Sequence, residues 1–367
     1  MYRFFNITKD TEINERRPNR NEGLDATIKV SKQFVNAQPY NTRILLTVDT
    51  ASILSVVNAA PTSSWSASLN LYTANPVNLA YTEVVEFWPA AVLSADEQVY
   101  NNQPLSWQMG LGRSTFLPDV TEGATWVSNG LCPWVTSSFG NITSSYATYA
   151  GGGNWYGNKW SISKTLDYLT TDLSVDIRTV VNSWTSSYDW HGILIKRSDA
   201  QEQDDNQYGT LSWFSTDTHT IYLPRVIISW DSSEYATGSN SVISYNVAPV
   251  LHIKNFHPSY PIDTFVKMNL GVRPKYPAKT FVTSSDYLTG YVLPSSSYYS
   301  IRDAGSDVEI IPFSDCSKIS CDASGSFFTF STHNWQPERY YRVLVKMVWD
   351  DDEVIVHDKE NIFKLTR

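Results

Sequence analysis

The tightest constraint on the fold lies between Leu173 and Trp230. Leu173, Val175 and Ile177 alternate with polar residues, and a period of two is what an extended strand with one buried face requires. A short Val180-Val181-x-x-Trp184 segment follows, and then Gly192-Ile193-Leu194-Ile195-Lys196, whose β-branched run behind a glycine reads as a second strand. Beyond an acidic and amide-rich loop, Asp199 to Gln207, come Leu211 to Thr216 as a third strand and Leu223 to Trp230 as a fourth. Pro224 suits the start of a strand or a sheet edge, because proline cannot donate to a central ladder. Short strands joined by polar loops predict an all-β chain.

Composition agrees. Aromatic residues make up 14% of the 367 and charged residues only 18%, a balance that favours half-buried pleated surfaces over helices. The length suits two domains. A net charge of -9 leaves no basic stripe to displace counterions from phosphates, so nucleic acid is not an expected partner. No window approaches the run of about 18 apolar residues that a membrane span needs, so no membrane is expected either. The opening Met1-Tyr2-Arg3-Phe4-Phe5 is too short an apolar run for a secretory signal. Synthesis in a cytoplasm is therefore expected. Cys132, Cys316 and Cys321 are an odd set; reduced thiols are the plain reading, with a pairing of Cys316 and Cys321 across a hairpin as the alternative.

Taken in order, residues 1–9 read as a first strand or as a docking arm with exposed aromatics. Arg16-Arg17-Pro18-Asn19-Arg20 is a basic patch, read either as an anion or partner site or as a solvated loop. Strand candidates follow at Ala26 to Val30, Arg43 to Asp49, Ala67 to Tyr72 and Val84 to Trp88, and a short helix at Val48 to Ala59 with Asp49 or Thr50 as its N-cap. The long stretch near 89–160 lacks clear periodicity and reads as a loop set or insertion. Gly151-Gly152-Gly153 within it reads as a flexible tip, because glycine lacks the side chain that restricts φ. A polar linker is expected at 232–245. The pattern then restarts from Ala248, with further strands at Phe265 to Arg273, Asp307 to Pro312, Phe327 to Phe330, Tyr340 to Trp349 and Glu360 to Leu365. Asp350-Asp351-Asp352-Glu353 reads as a tight turn with a negative tip.

The candidate functional residues are the aromatics of the insertion: Trp107, Trp126, Trp134, Trp155 and Tyr156. Three roles are open to them. They can pack inside the domain, lie between neighbouring subunits, or stack on sugar rings from exposed loops. The six histidines fall in no HExxH pattern, and neither a Gly-x-Ser-x-Gly elbow nor a GxGxxG turn is present. No catalytic constellation, metal site or cofactor is expected.

Several of these motifs together resemble a known family. Asp10-Thr11-Glu12-Ile13 with Pro18, Asn21, Gly23 and Leu24-Asp25-Ala26, then Arg43-Ile44-Leu45-Leu46-Thr47-Val48-Asp49, Ala67-Ser68-Leu69-Asn70-Leu71-Tyr72 and the strands from Leu173 to Trp230 are similar to the adhesive jelly-roll modules known as DNRLRE domains. Asn334-Trp335-Gln336-Pro337-Glu338-Arg339-Tyr340-Tyr341-Arg342-Val343 resembles the approach to the late strands of immunoglobulin-like modules, where a tyrosine forms a corner. These resemblances imply a jelly-roll sandwich over 1–231 followed by an Ig-like sandwich over 246–367. The tandem plan, with the opening and closing residues, is similar to that of neck and tail proteins of T4-like tailed phages. It implies a non-enzymatic virion component made in a host cytoplasm, whose partners are other copies of itself and neighbouring virion proteins. The alternative is a carbohydrate-binding adhesin or receptor-binding module with surface polysaccharide as its partner.

Overall fold

The computed structural model describes residues 1–60, 65–91, 106–134, 142–143, 151–157, 160–185, 191–247, 249–276, 290–349 and 353–367. The chain is all-β, with 48% strand and 9% helix, so its short helices are connectors between sheets. Two compact units divide it. One comprises Phe5–Ala59 and Ser66–Ile227, and the other Met1–Phe4, Ala60–Trp65 and Ile228–Arg367. The division falls at Ile227, where the sequence placed it after Asp231. Residues 232–245, expected as a linker, are instead part of the C-terminal unit: Tyr235 bridges Cys321, Ser241–Val242 runs parallel to Tyr291–Val292, and Ile243 is buried.

The larger sheet runs in the order Ile142–Thr143, Asn154–Tyr156, Glu83–Ala91, Ile193–Arg197, Gln38–Val48, Tyr2–Asn14, Arg225–Trp230, Trp65–Leu71 and Leu173–Asp176. Thr27–Val35 pairs Gln38–Val48 on one side and Leu211–Phe214 on the other. Gln38–Val48 is thus central, and its Ile44, Leu45 and Leu46 are wholly buried. Leu46 lies opposite both Ile193 and Asp10, and Ile44 opposite both Ile195 and Glu12. Asp10 and Glu12 share one face of their strand because side chains alternate. The helix Thr50–Ala59 forms where expected, and Asp49 caps it by accepting from the Ser52 amide at 3.1 Å and the Ser52 hydroxyl at 2.6 Å. Val180, Val181 and Trp184 face inward from a second helix, Arg178–Trp184, since a three- to four-residue spacing puts them on one helical face.

The C-terminal unit has two sheets. Phe265–Pro274 pairs with Pro249–Ile253, Tyr291–Val292 and Gly325–Ser331; in the second sheet Val354–Thr366 and Ser297–Asp303 flank Tyr340–Val348. Rings from both sheets meet in a sandwich core. Tyr299 stacks on Phe328 with centroids 4.4 Å apart, and Phe330 lies 5.8 Å from both Trp335 and Phe363. The first residues are part of this core and not an exposed arm. Tyr2 and Phe4 are buried, Phe4 meets Trp335 edge-on at 5.7 Å, and the Arg3 guanidinium sits 4.5 Å over Phe265 while donating to the Ser331 hydroxyl. The three cysteines are free thiols, so Cys316 and Cys321 are not paired. Residues 350–352 of the acidic turn lie outside the described residues. Among those described, no helix is long and apolar enough to cross a membrane.

Of the two tyrosines that open the strand Tyr340–Val348, Tyr341 is the buried one. Its ring is buried against Trp335 and Phe363, and its hydroxyl donates to the Gln336 carbonyl five residues upstream at 3.2 Å. Tyr341→Phe is expected to cost about 1 kcal/mol, one net hydrogen bond, and Phe363→Ala about 3–5 kcal/mol, the loss of a core ring. Urea unfolding of the two variants beside the parent chain checks both values.

Candidate functional site

All five aromatic candidates are inside the N-terminal unit. Trp107 and Trp126 are 0% exposed, Trp155 2%, Trp134 3% and Tyr156 7%. The four indoles form one cluster with Ile13, Leu45, Ala90, Ala124 and Leu194, while Tyr156 packs with Ala91 and Trp160. A ring that stacks on a sugar or faces a sister subunit must present an open side, and these do not. Their role is packing within the domain, with indole N–H groups satisfied internally: Trp107 donates to the His191 carbonyl at 2.8 Å and Trp134 to that of Thr125 at 2.9 Å.

The segment that covers them is pinned from below by Asn21. Its amide donates to the carbonyls of Met109 and Ala124, each at 2.8 Å, and its oxygen accepts from the Gly112 and Gly23 amides. One buried amide thus holds four backbone groups. Gly151, Gly152 and Gly153 are not a flexible tip. All three are buried with positive φ, and a Cβ would lie 2.0 Å from the Trp126 carbonyl oxygen at Gly151 and 2.5 Å from Leu194 at Gly153. Only glycine fits so close an approach.

Cations are buried beside these rings. Arg43 donates through Nε and Nη2 to the two oxygens of Glu202, at 2.9 and 2.5 Å, and through Nη1 to the Gly152 carbonyl at 2.7 Å. Its guanidinium also lies between Trp126 and Trp155, 5.1 and 5.3 Å from the ring centroids. Lys196 reaches Asp199 at 2.6 Å and Glu86 at 3.2 Å, Arg197 reaches Glu83 at 2.5 Å, and Lys32 reaches Asp204 at 2.7 Å. Three of these counter-ions come from one place, the helix Asp199–Gln203 and the residue after it, capped by Ser198. The acidic loop of the sequence is a strap of counter-ions over a row of buried cations.

A polar cavity of about 450 Å³ opens elsewhere on the same unit. Glu12 and Asn14 enter it from the first strand; Lys29, Ser31 and Gln33, at period two, from the strand Thr27–Val35; Arg16, Arg17, Arg20 and Glu22 from the turn between them. Ser114 and Thr210 complete the lining. Glu12 is 3% exposed, its Oε2 has no hydrogen-bond partner, and Glu22 lines the same cavity. Burial, then the Glu22 charge, pushes the Glu12 carboxyl well above its usual range; burial, then Asp25, raises Glu22. Arg20 is buried, 3.6 Å from Glu22 and from Asp119, and donates to the Arg113 carbonyl. Arg16 and Arg17 are exposed at the rim. The basic patch seen in the sequence is thus one wall of a cavity whose floor is a carboxyl pair.

The sequence offered the basic patch as a candidate site, but Glu12 only as part of a strand motif and Glu22 not at all. The available signal was Asp10 and Glu12 falling two apart inside a strand, where a buried face is expected to be apolar. Among the described residues no group of three or more His, Cys, Asp or Glu is arranged to hold a metal ion. Comparison with known proteins finds no family that matches the chain and no curated protein similar to it.

Glu202→Ala strands the Arg43 charge in the interior and is expected to cost about 3–5 kcal/mol, whereas Arg43→Met with Glu202→Leu recovers much of that loss; denaturant unfolding of the single and double variants measures the difference. Asp10 gives a pH signature. Burial is the main cause that raises its carboxyl from 3.8 to about 7, against hydrogen bonds from Thr216. The native state then holds a proton that the unfolded chain has released, so this contribution to stability falls as pH rises from about 4 towards about 7. Asp10→Asn is expected to flatten that part of the stability profile, measured as the difference between variant and parent from pH 4 to 8.

Proposed function

We propose that this chain is a non-enzymatic structural component of a tailed-phage virion, in the neck, tail or baseplate, and that it acts by packing against copies of itself and neighbouring virion proteins. One observation carries the assembly reading. In the C-terminal unit the strand Val354–Thr366 pairs with Tyr340–Val348 along one side, but on its other side Ser259–Pro261 covers only Lys364 to Thr366. Among the described residues, Val354 to Asn361 therefore forms an open edge. Val354 and Val356 are exposed on it, with Ile362 and Tyr340 exposed nearby on the same pair of strands. An open edge of backbone donors and acceptors beside apolar side chains is a template for another strand, and a second copy of the chain supplies a matching one. The resemblance to jelly-roll and Ig-like modules of phage necks and tails supports the setting.

A second reading, receptor binding at a cell or particle surface, is favoured by the polar cavity between the first two strands. For assembly, the chain in solution is expected to associate with rising concentration, and Val356→Lys to weaken that association at least about tenfold, since a charge must be desolvated at the joint. Sedimentation of the parent and the variant tests this. Antibody against the chain is expected to label purified particles at one fixed position; label confined to cell envelopes overturns the virion assignment.

A further inference from the structure

We propose that the cavity walled by Glu12, Arg16, Arg17, Glu22 and Lys29 is a binding site for a uronate residue of an acidic polysaccharide. The inference deepens the receptor-binding reading and rests on it for its setting; assembly through the C-terminal unit is independent of it. Three features select the ligand. The first is charge. Arg16 and Arg17 stand exposed at the rim, with Lys29 on the strand beside them. Guanidinium groups fork onto a carboxylate with paired, charge-assisted hydrogen bonds. A neutral ligand would leave them unused.

The second feature is the floor. Glu12 is buried, lines the cavity, and keeps Oε2 without a partner. Leaving such an atom unsatisfied costs about 1–3 kcal/mol, so a ligand hydroxyl that reaches it removes a standing penalty. Burial and the charges beside them raise both carboxyls above their usual range, and a protonated carboxyl both gives and accepts a hydrogen bond. A sugar hydroxyl does the same. An inorganic dianion offers only acceptors and would meet the shared negative charge of the pair.

The third is the character of the walls. Asn14, Ser31, Gln33, Ser114 and Thr210 are all polar, and among the described residues no aromatic or aliphatic side chain lines the cavity. Apolar ligands have nothing to bury against. A cavity of about 450 Å³ is of the size that holds small organic ligands and has room for about one or two sugar rings. A carboxylate at the rim with hydroxyls toward the floor meets every element of this lining.

The test is calorimetric titration of the full chain with trisaccharides of galacturonate, glucuronate and mannuronate, each beside its neutral hexose counterpart. At least one uronate is expected to bind, its neutral counterpart at least about tenfold more weakly, with affinity falling as salt rises. Arg16→Ala with Arg17→Ala is expected to weaken binding by about tenfold or more while leaving the unfolding midpoint unchanged, since both side chains are exposed. Glu12→Gln tests the floor separately. Failure of all three uronates to bind, equal binding of the neutral sugars, or parent-like binding by the double arginine variant each overturns the assignment. A chain that self-associates yet binds no uronate refutes the saccharide site and leaves the assembly reading standing.

Discussion

The N-terminal unit depends on one buried guanidinium. Arg43 sits in the central strand, ion-paired to Glu202 in fork geometry, donating to the Gly152 backbone and held between two indoles. Three separate stretches of chain meet there: a strand, a glycine run and a five-residue helix. Each contact satisfies a different property of the group, since the fork matches a carboxylate, the flat face matches a π-surface and the remaining N–H matches a carbonyl. Lysine could meet only one of these at a time.

The same logic extends outward. Lys196 and Arg197 follow each other on the neighbouring strand and point to opposite sides of the sheet, so each needs its own counter-ion, and they find Asp199 with Glu86, and Glu83. Lys32 completes the set with Asp204. Ion pairs buried at both ends, as Arg43 with Glu202 and Arg197 with Glu83 are, add little net stability over apolar packing, because desolvation offsets their attraction. What they impose is exclusivity: a strand shifted by one residue would bury a charge facing nothing. Among the described residues the C-terminal unit has no ion pair buried at both ends, its deepest being Arg339 with Asp303. Its sheets are keyed by ring geometry, in which Tyr299 lies flat on Phe328 and Phe363 collects Tyr260, Phe330 and Tyr341.

How much of this was legible follows from which interactions are local. Alternation revealed the strand at Leu173, because a half-buried strand writes its period directly into the chain, and a β-branched run behind a glycine revealed the one at Ile193, which is buried throughout. The cap at Asp49 was legible for the same reason, its partner being three residues away. For the indoles, packing inside the domain stayed open beside two exposed roles. Trp107, Trp126, Trp134 and Trp155 stand among Ser, Gly and Asn, and their burial is produced by Ile13, Leu45 and Leu194 from distant strands. The acidic stretch from Asp199 read as no more than a loop because its partners, Lys32 and Arg43, lie more than a hundred residues earlier. As site residues Glu12 and Glu22 escaped notice likewise, since nothing near them in sequence signals that a cavity closes around them.

The assignment of Met1–Phe4 to the C-terminal unit has a consequence for biosynthesis. The strand Tyr2–Asn14 begins in one unit and continues into the other. On a ribosome Tyr2 to Phe4 emerge ahead of the whole N-terminal unit, yet Trp335, whose ring meets Phe4, is translated only after that unit. The usual order, in which an N-terminal domain finishes before its successor starts, is unavailable to these four residues. Until the strands of the C-terminal unit are made they hang as an unfinished thread from a unit already folded, and only its sheets tie them off.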